Sequence, residues 1–131
     1  MIGYVTLGTN DPARAQEYYD ALFGTIGGQR LMEFPEPNGF TMWGTSWTSP
    51  GLALTKPYDG GPANVGNGTM VAIVFDERAK VDAFYNKAIE LGGSDEGAPG
   101  LRGEEGPQAF YAAYFRDPEG NKLCAFRIGG V

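Results

Sequence analysis

The sequence predicts an α+β protein made of two βαβββ modules, and three observations predict it. Residues 4–27, "YVTLGTNDPARAQEYYDALFGTIG", lie over residues 70–93, "MVAIVFDERAKVDAFYNKAIELGG", without a gap; each copy runs from strand through polar turn and amphipathic helix to glycine. Short β-like runs divided by turn residues follow each helix. A Gly-, Pro- and Asn-rich stretch, "PYDGGPANVGNG", separates the copies. The chain thus reads as one domain over residues 1–131, with a first module over about 1–57, a linker over about 58–68 and a second module over about 69–131.

The first strand alternates. Val5 and Leu7 form its more apolar set and are expected to face a helix, which turns Tyr4 and Thr6 the other way. Asp11 is placed to cap the next helix and Pro12 stands in its first turn, where proline is tolerated. Ala15, Tyr18, Tyr19 and Leu22 make one buried stripe, and Gly24 ends the run. Strands are expected over 29–34, 39–45 and 51–56. In the second copy Met70 and Ala72 take the places of Tyr4 and Thr6, Asp76 is the expected cap, and Val81, Phe84, Ala88 and Leu91 form the stripe before Gly92. A poorly defined edge strand should follow. "SDEGAPGLRGEEGPQ", residues 94–108, reads as a solvated loop, with a flap over a pocket as the sharper alternative. The last strands are expected over 109–116 and 121–128. In "RDPEGNK" between them, Pro118 suits a type I turn and Gly120 the left-handed residue after it. That turn pairs Asp117 with Asn121 and sets Tyr114 opposite Cys124, with Arg116 and Phe126 on the same face.

Composition narrows the function. A formal charge of −6 and a pI near 4.5 disfavour nucleic acid and anionic membrane surfaces as partners. No apolar run reaches the ~20 residues of a membrane span. The opening residues leave no room for a signal peptide, and one cysteine permits no internal disulfide, which suits a cytoplasmic protein. The chain has no histidine. That removes Ser-His-Asp and Cys-His catalysis as usually built, and every metal site that needs imidazole.

The "DPEGNKL" turn with its flanking strands, the opening "YVTLGTNDPARAQEYYDALFG" and the duplicated βαβββ plan resemble the glyoxalase/bleomycin resistance/extradiol dioxygenase group, the vicinal oxygen chelate superfamily. The resemblance covers nearly the whole chain. It implies paired modules forming a U-shaped cleft, in which members commonly hold a divalent metal, while bleomycin-binding members sequester a drug in a dimer without one. The positions to which it assigns metal ligands hold Tyr4, Met70 and Cys124 here, and the last strand of the first module, "GLALTKP", offers no carboxylate, imidazole or amide. Phenol, thioether and thiol are poor donors for a hard divalent ion, so no metal and no cofactor is expected.

The expected cleft residues are Tyr4, Thr6, Trp43, Met70, Tyr114, Arg116, Cys124 and Phe126. Aromatic walls with few polar groups suit a small, partly aromatic or apolar ligand. The reading is therefore metal-free small-molecule binding by a homodimer, with catalytic residues unassigned. The alternatives are an enzyme working through Tyr, Cys or Arg, and a remnant whose cleft is filled by its own side chains.

Overall fold

The computed structural model describes residues 1–131, which divide into two compact units, residues 1–65 and 66–131. The fold is α+β, two βαβββ modules with one helix and one four-stranded sheet each. No helix is long and apolar enough to cross a membrane.

In the first unit β1 (Tyr4–Gly8), α1 (Pro12–Gly24), β2 (Gln29–Phe34), β3 (Phe40–Gly44) and β4 (Gly51–Thr55) follow in order. The sheet runs β1-β4-β3-β2, with β1 parallel to β4 and the other pairs antiparallel. Helix α1 begins where Asp11 Oδ1 accepts the Arg14 amide at 3.1 Å and Pro12 occupies the first turn, so an orphan donor is satisfied and the missing N–H costs nothing. Ala15, Tyr18, Tyr19, Leu22 and Phe23 are buried on its inner face. The left-handed residue after the helix is Gly27, φ 79°, rather than Gly24, which remains helical.

The second unit repeats the plan with β5 (Val71–Val74), α2 (Arg78–Glu90), β6 (Ser94–Leu101), β7 (Phe110–Arg116) and β8 (Lys122–Ile128), in the order β5-β8-β7-β6. Val81, Phe84, Tyr85 and Ala88 of α2 are buried, and Gly92 turns the chain with φ 116°. The expected Asp76 cap is not found. Glu77 occupies the N-cap without a side-chain bond to the helix, and Asp76 pairs with Lys80 at 2.8 Å instead. Residues 94–101, expected to be loop, form β6 against β7. Two register shifts, between Asp95 and Gly97 and between Gly97 and Gly100, break the alternation that would have announced a strand.

The β7–β8 turn follows its sequence. Asp117 and Asn121 pair, Gly120 has φ 104°, and the resulting register sets Tyr114 opposite Cys124, Ala112 opposite Phe126 and Arg116 opposite Lys122. Asp117 holds the loop from inside. It is 4% exposed, and its Oδ1 accepts the amides of Glu119, Gly120 and Asn121, each at 2.9 Å.

Candidate functional site

Each sheet has one face under its helix and one face without a helix. Tyr111 donates to Asp82 of α2 at 2.6 Å, and Phe115 meets Phe84 of α2 edge-on at 6.0 Å. Tyr111, Ala113 and Phe115 therefore lie on the helical side of β7. By alternation Phe110, Ala112, Tyr114 and Arg116 lie on the other, joined through the register by Lys122, Cys124 and Phe126 of β8 and by Ala72 and Val74 of β5.

On this helix-free face Phe126 stacks on Phe110 at 5.5 Å, and Val74 is 68% exposed. Met70 directly precedes β5 and is 41% exposed. Tyr114 and Cys124 sit side by side across the β7–β8 pair, close enough for each group to act on the titration of the other. Cys124 is buried, and burial foremost pushes its thiol above the ordinary value, although Tyr114, Arg102 and Lys122 pull the other way. Burial likewise raises the Tyr114 phenol. At neutral pH both are neutral groups. Arg116 donates to Glu96 and, at 2.8 Å, to the Gly120 carbonyl, so it braces the turn as well as lining the face.

Arg102 was not among the residues the sequence marked. Its guanidinium carbon stands 5.5 Å from the Tyr114 ring centre and the Lys122 ammonium 5.4 Å from the same ring. No sequence signal marks Arg102: Gly97 comes opposite Tyr114 only through the bulged register of β6, where a Cβ would come within 3.2 Å of both Arg102 Nη2 and Tyr114 Cδ2.

In the first unit Thr41 accepts from Gln16 of α1 at 3.0 Å, and Trp43 donates its indole N–H to Asp20 of α1 at 2.8 Å. Trp43, expected in the cleft, is thus a core residue. It is 1% exposed and packs on Tyr19 and Phe23. Its neighbour Met42 holds the helix-free position, opposite Ala53, which in turn lies opposite Thr6. Tyr4 and Thr6 are on that face as expected from alternation; Thr6 is exposed, and Tyr4 is 47% exposed with its ring edge-on to Phe40 at 5.7 Å.

The donors suit no hard divalent metal. The first unit offers the Tyr4 phenol, the second the Met70 thioether and the buried protonated Cys124 thiol, and no three His, Cys, Asp or Glu side chains gather into a group that could hold an ion.

Comparison with known proteins gives one consistent picture. The sequence model of the Glyoxalase/Bleomycin resistance protein/Dioxygenase superfamily matches residues 1–125. The chain is 32% identical to a glyoxalase/bleomycin resistance protein from Albidiferax ferrireducens, with a TM-score of 0.80 over 97% of this chain and 98% of that one. At lower identity it shares the fold of a family enzyme from Burkholderia phytofirmans, 20% identical with a TM-score of 0.72 over 96% and 97% of the two chains. It also shares that of a lactoylglutathione lyase from Agrobacterium tumefaciens, 21% identical with a TM-score of 0.64 over 97% and 92%. No curated protein matches the sequence.

Proposed function

The chain belongs to the glyoxalase/bleomycin resistance protein/dioxygenase superfamily, and from that premise we propose that it binds a small, partly aromatic or apolar molecule without a metal ion. One observation carries this reading. Where the resemblance calls for a metal-binding glutamate stands Cys124, buried beside Tyr114 and held protonated. The half-buried, neutral Tyr114 phenol, backed by the buried neutral thiol, is a surface for a ligand's polar edge and its ring. Phe126, Phe110 and Met70 supply the apolar surroundings.

Chemistry through a Cys124 thiolate is the weaker reading. The nucleophile is the thiolate, and burial opposes its formation here while no histidine stands by to take the proton. Homodimerisation belongs to the same proposal: β1 and β5 each end a sheet, and β5 carries the exposed Val74 beside the exposed Met70. Sedimentation should give twice the 14.0 kDa chain mass, and a monomer at micromolar concentration would remove this part.

The binding test is calorimetric titration with 1-naphthol, in chelator and again with added Zn(II) or Mn(II). Binding should be equal in both, and Tyr114→Phe should weaken it up to about tenfold by removing one hydrogen bond. Binding that requires added metal, or about one ion per chain whose removal costs stability, would overturn the reading.

A further inference from the structure

The formal charge of the chain is −6, yet the surroundings of Tyr114 carry cations in excess. Arg116 is taken up by Glu96. Asp95, the other acid of β6 at this end, is engaged elsewhere: its Oδ1 accepts from Tyr85 of α2 at 2.7 Å and from the Gly97 amide at 2.8 Å. Neither Arg102 nor Lys122 is in an ion pair, although Arg102 acts on the Asp95 carboxyl and Lys122 on the Glu96 carboxyl from farther off, and the one hydrogen bond of the Arg102 guanidinium is to the Ala98 carbonyl, at 2.7 Å.

The position of Arg102 is built into the strand. It follows β6 directly, and its guanidinium lies back along that strand over two glycines. A Cβ at Gly97 would come within 3.2 Å of Nη2, and one at Gly100 within 3.3 Å of Nη1. Side chains at either place would lift the guanidinium away from the Tyr114 ring. Lys122 reaches the same ring from β8, the strand on the opposite flank of β7. Two cations thus converge on one half-buried aromatic ring from its two neighbouring strands.

We propose that Arg102 and Lys122 form an oxyanion-binding pair beside Tyr114, so that the preferred ligand is an aromatic or apolar molecule bearing a carboxylate or phosphate group. This rests on the binding reading above and names its ligand class. Arg102 supplies a planar donor fork and Lys122 a point charge, while the Tyr114 hydroxyl, neutral at working pH, adds no repelling charge. The acidic surface elsewhere gives such a ligand no long-range attraction, so the preference arises at contact and is screened by salt.

The test uses three probes with one ring system: 1-naphthoate, 1-naphthyl phosphate and the uncharged 1-naphthamide. Affinity is measured by calorimetry, and the Gly97 and Gly100 amides and the Arg102 Nε–H are followed by NMR. One or both anions should bind about tenfold or more tightly than the amide, which is the expected worth of a charged hydrogen bond. That preference should shrink in high salt, fall in Lys122→Gln, whose parent ammonium is in no ion pair, and vanish in the Arg102→Gln/Lys122→Gln double variant. Arg102→Lys should keep part of it, which a packing role would not. If the amide binds as tightly, or the double variant keeps the preference, the anion pair is wrong and the binding reading stands. If no probe moves these resonances at millimolar concentration, both fall.

Discussion

Met42 and Ala53 in the first unit stand where Tyr114 and Cys124 stand in the second. The registers establish the match: Thr6 faces Ala53, which faces Met42, and Ala72 faces Cys124, which faces Tyr114. On the helical side the correspondence is conservative, Trp43–Leu52 against Phe115–Leu123. On the helix-free side it is not. The first unit shows an apolar pair there, and its Arg30, opposite Trp43 on the helical side, is spent on Asp20 and Glu33. The second shows phenol, thiol and three basic side chains. Duplication has thus kept the side that packs under the helix, where a changed volume costs stability, and released the side that does not. On the proposed reading, the chemistry for recognising a ligand is concentrated in the second unit.

The largest expected effect concerns the turns that join the last two strands of each unit. Asp117 serves three backbone amides and the Asn121 side-chain amide from a buried position, whereas Ser46, in the equivalent connection, accepts one long bond from a backbone amide, that of Thr48 at 3.3 Å, and shares its hydroxyl with Thr48 and Ser49 in solvent. Asp117→Ala should cost roughly 3 kcal/mol or more in urea unfolding, because several buried donors lose their acceptor. Ser46→Ala should cost about 0.5 kcal/mol or less. Equal costs would mean that the DPEGN turn is no more a structural device than its counterpart.

Next in size is the anchor that holds Trp43 in the core. Asp20 accepts the indole N–H and a two-point bond from Arg30, at 2.9 and 2.7 Å. With side-chain exposures of 32% and 44% for Arg30 and Asp20, the ion pair is discounted for solvent, and Asp20→Ala should cost about 1–2 kcal/mol. The Arg30 hydrogen bond foremost holds the Asp20 carboxyl below its ordinary value of 3.8. A depressed folded-state value contributes stability above the ordinary one, and that stability is lost as pH falls through the folded-state value. The variant should therefore approach the parent as pH falls below 3.8 and through the folded-state value. A difference that persisted undiminished in acid would place the cost in packing rather than charge.

Trp43 also marks where the sequence could be read and where it could not. Both helices, the edges of most strands and the Tyr114–Cys124 register were legible, since each rests on local chemistry: a stripe, a capping Asp11, a glycine at φ 104°. Trp43 was misassigned because its neighbourhood in sequence was taken for a face. Laying "TMWG" over "AYFR" would have matched Trp43 to Phe115 and sent it under the helix. Strand β6 was hidden by its own glycines and bulges, which erase the period of two. Arg102 was hidden with it, because its reach depends on Gly97 and Gly100 lying flat beneath its guanidinium.

A smaller effect separates the units in alkali. Cys124 holds its proton more tightly folded than unfolded, chiefly through burial, and Ala53 in the matching place holds none. A raised folded-state value leaves stability intact below the unfolded thiol's value near 9.0 and erodes it as pH climbs from there toward the folded one. The erosion has a ceiling of about 1.4 kcal/mol per pH unit for one group, and Cys124→Ala should flatten it. Iodoacetamide should label native protein at pH 8 at least about tenfold more slowly than urea-unfolded protein. Equal labelling rates would put the thiol in solvent and remove the neutral pair from the proposed site.

The smallest effect lies at the helix starts. Asp11 caps α1 with its side chain, and Asp11→Ala should cost about 1 kcal/mol. At α2 the same place falls to Glu77, in extended backbone with φ −148° and ψ 143°, a conformation suited to an N-cap, but with no side-chain bond to the helix. Glu77→Asp shortens the arm, keeps the charge at the positive end of the helix dipole and supplies the missing acceptor. Its 3.3 Å pairing with Lys80 is solvent-exposed and worth little, and Asp76 still holds Lys80 at 2.8 Å. Glu77→Asp should therefore stabilise by about 0.5 kcal/mol, and slower amide exchange in the first turn of α2 is the measurement that detects it. If exchange there is unchanged while Asp11→Ala behaves as stated, then α2 draws its start from burial of Val81 and Phe84 rather than from its cap, and the two helices differ in kind.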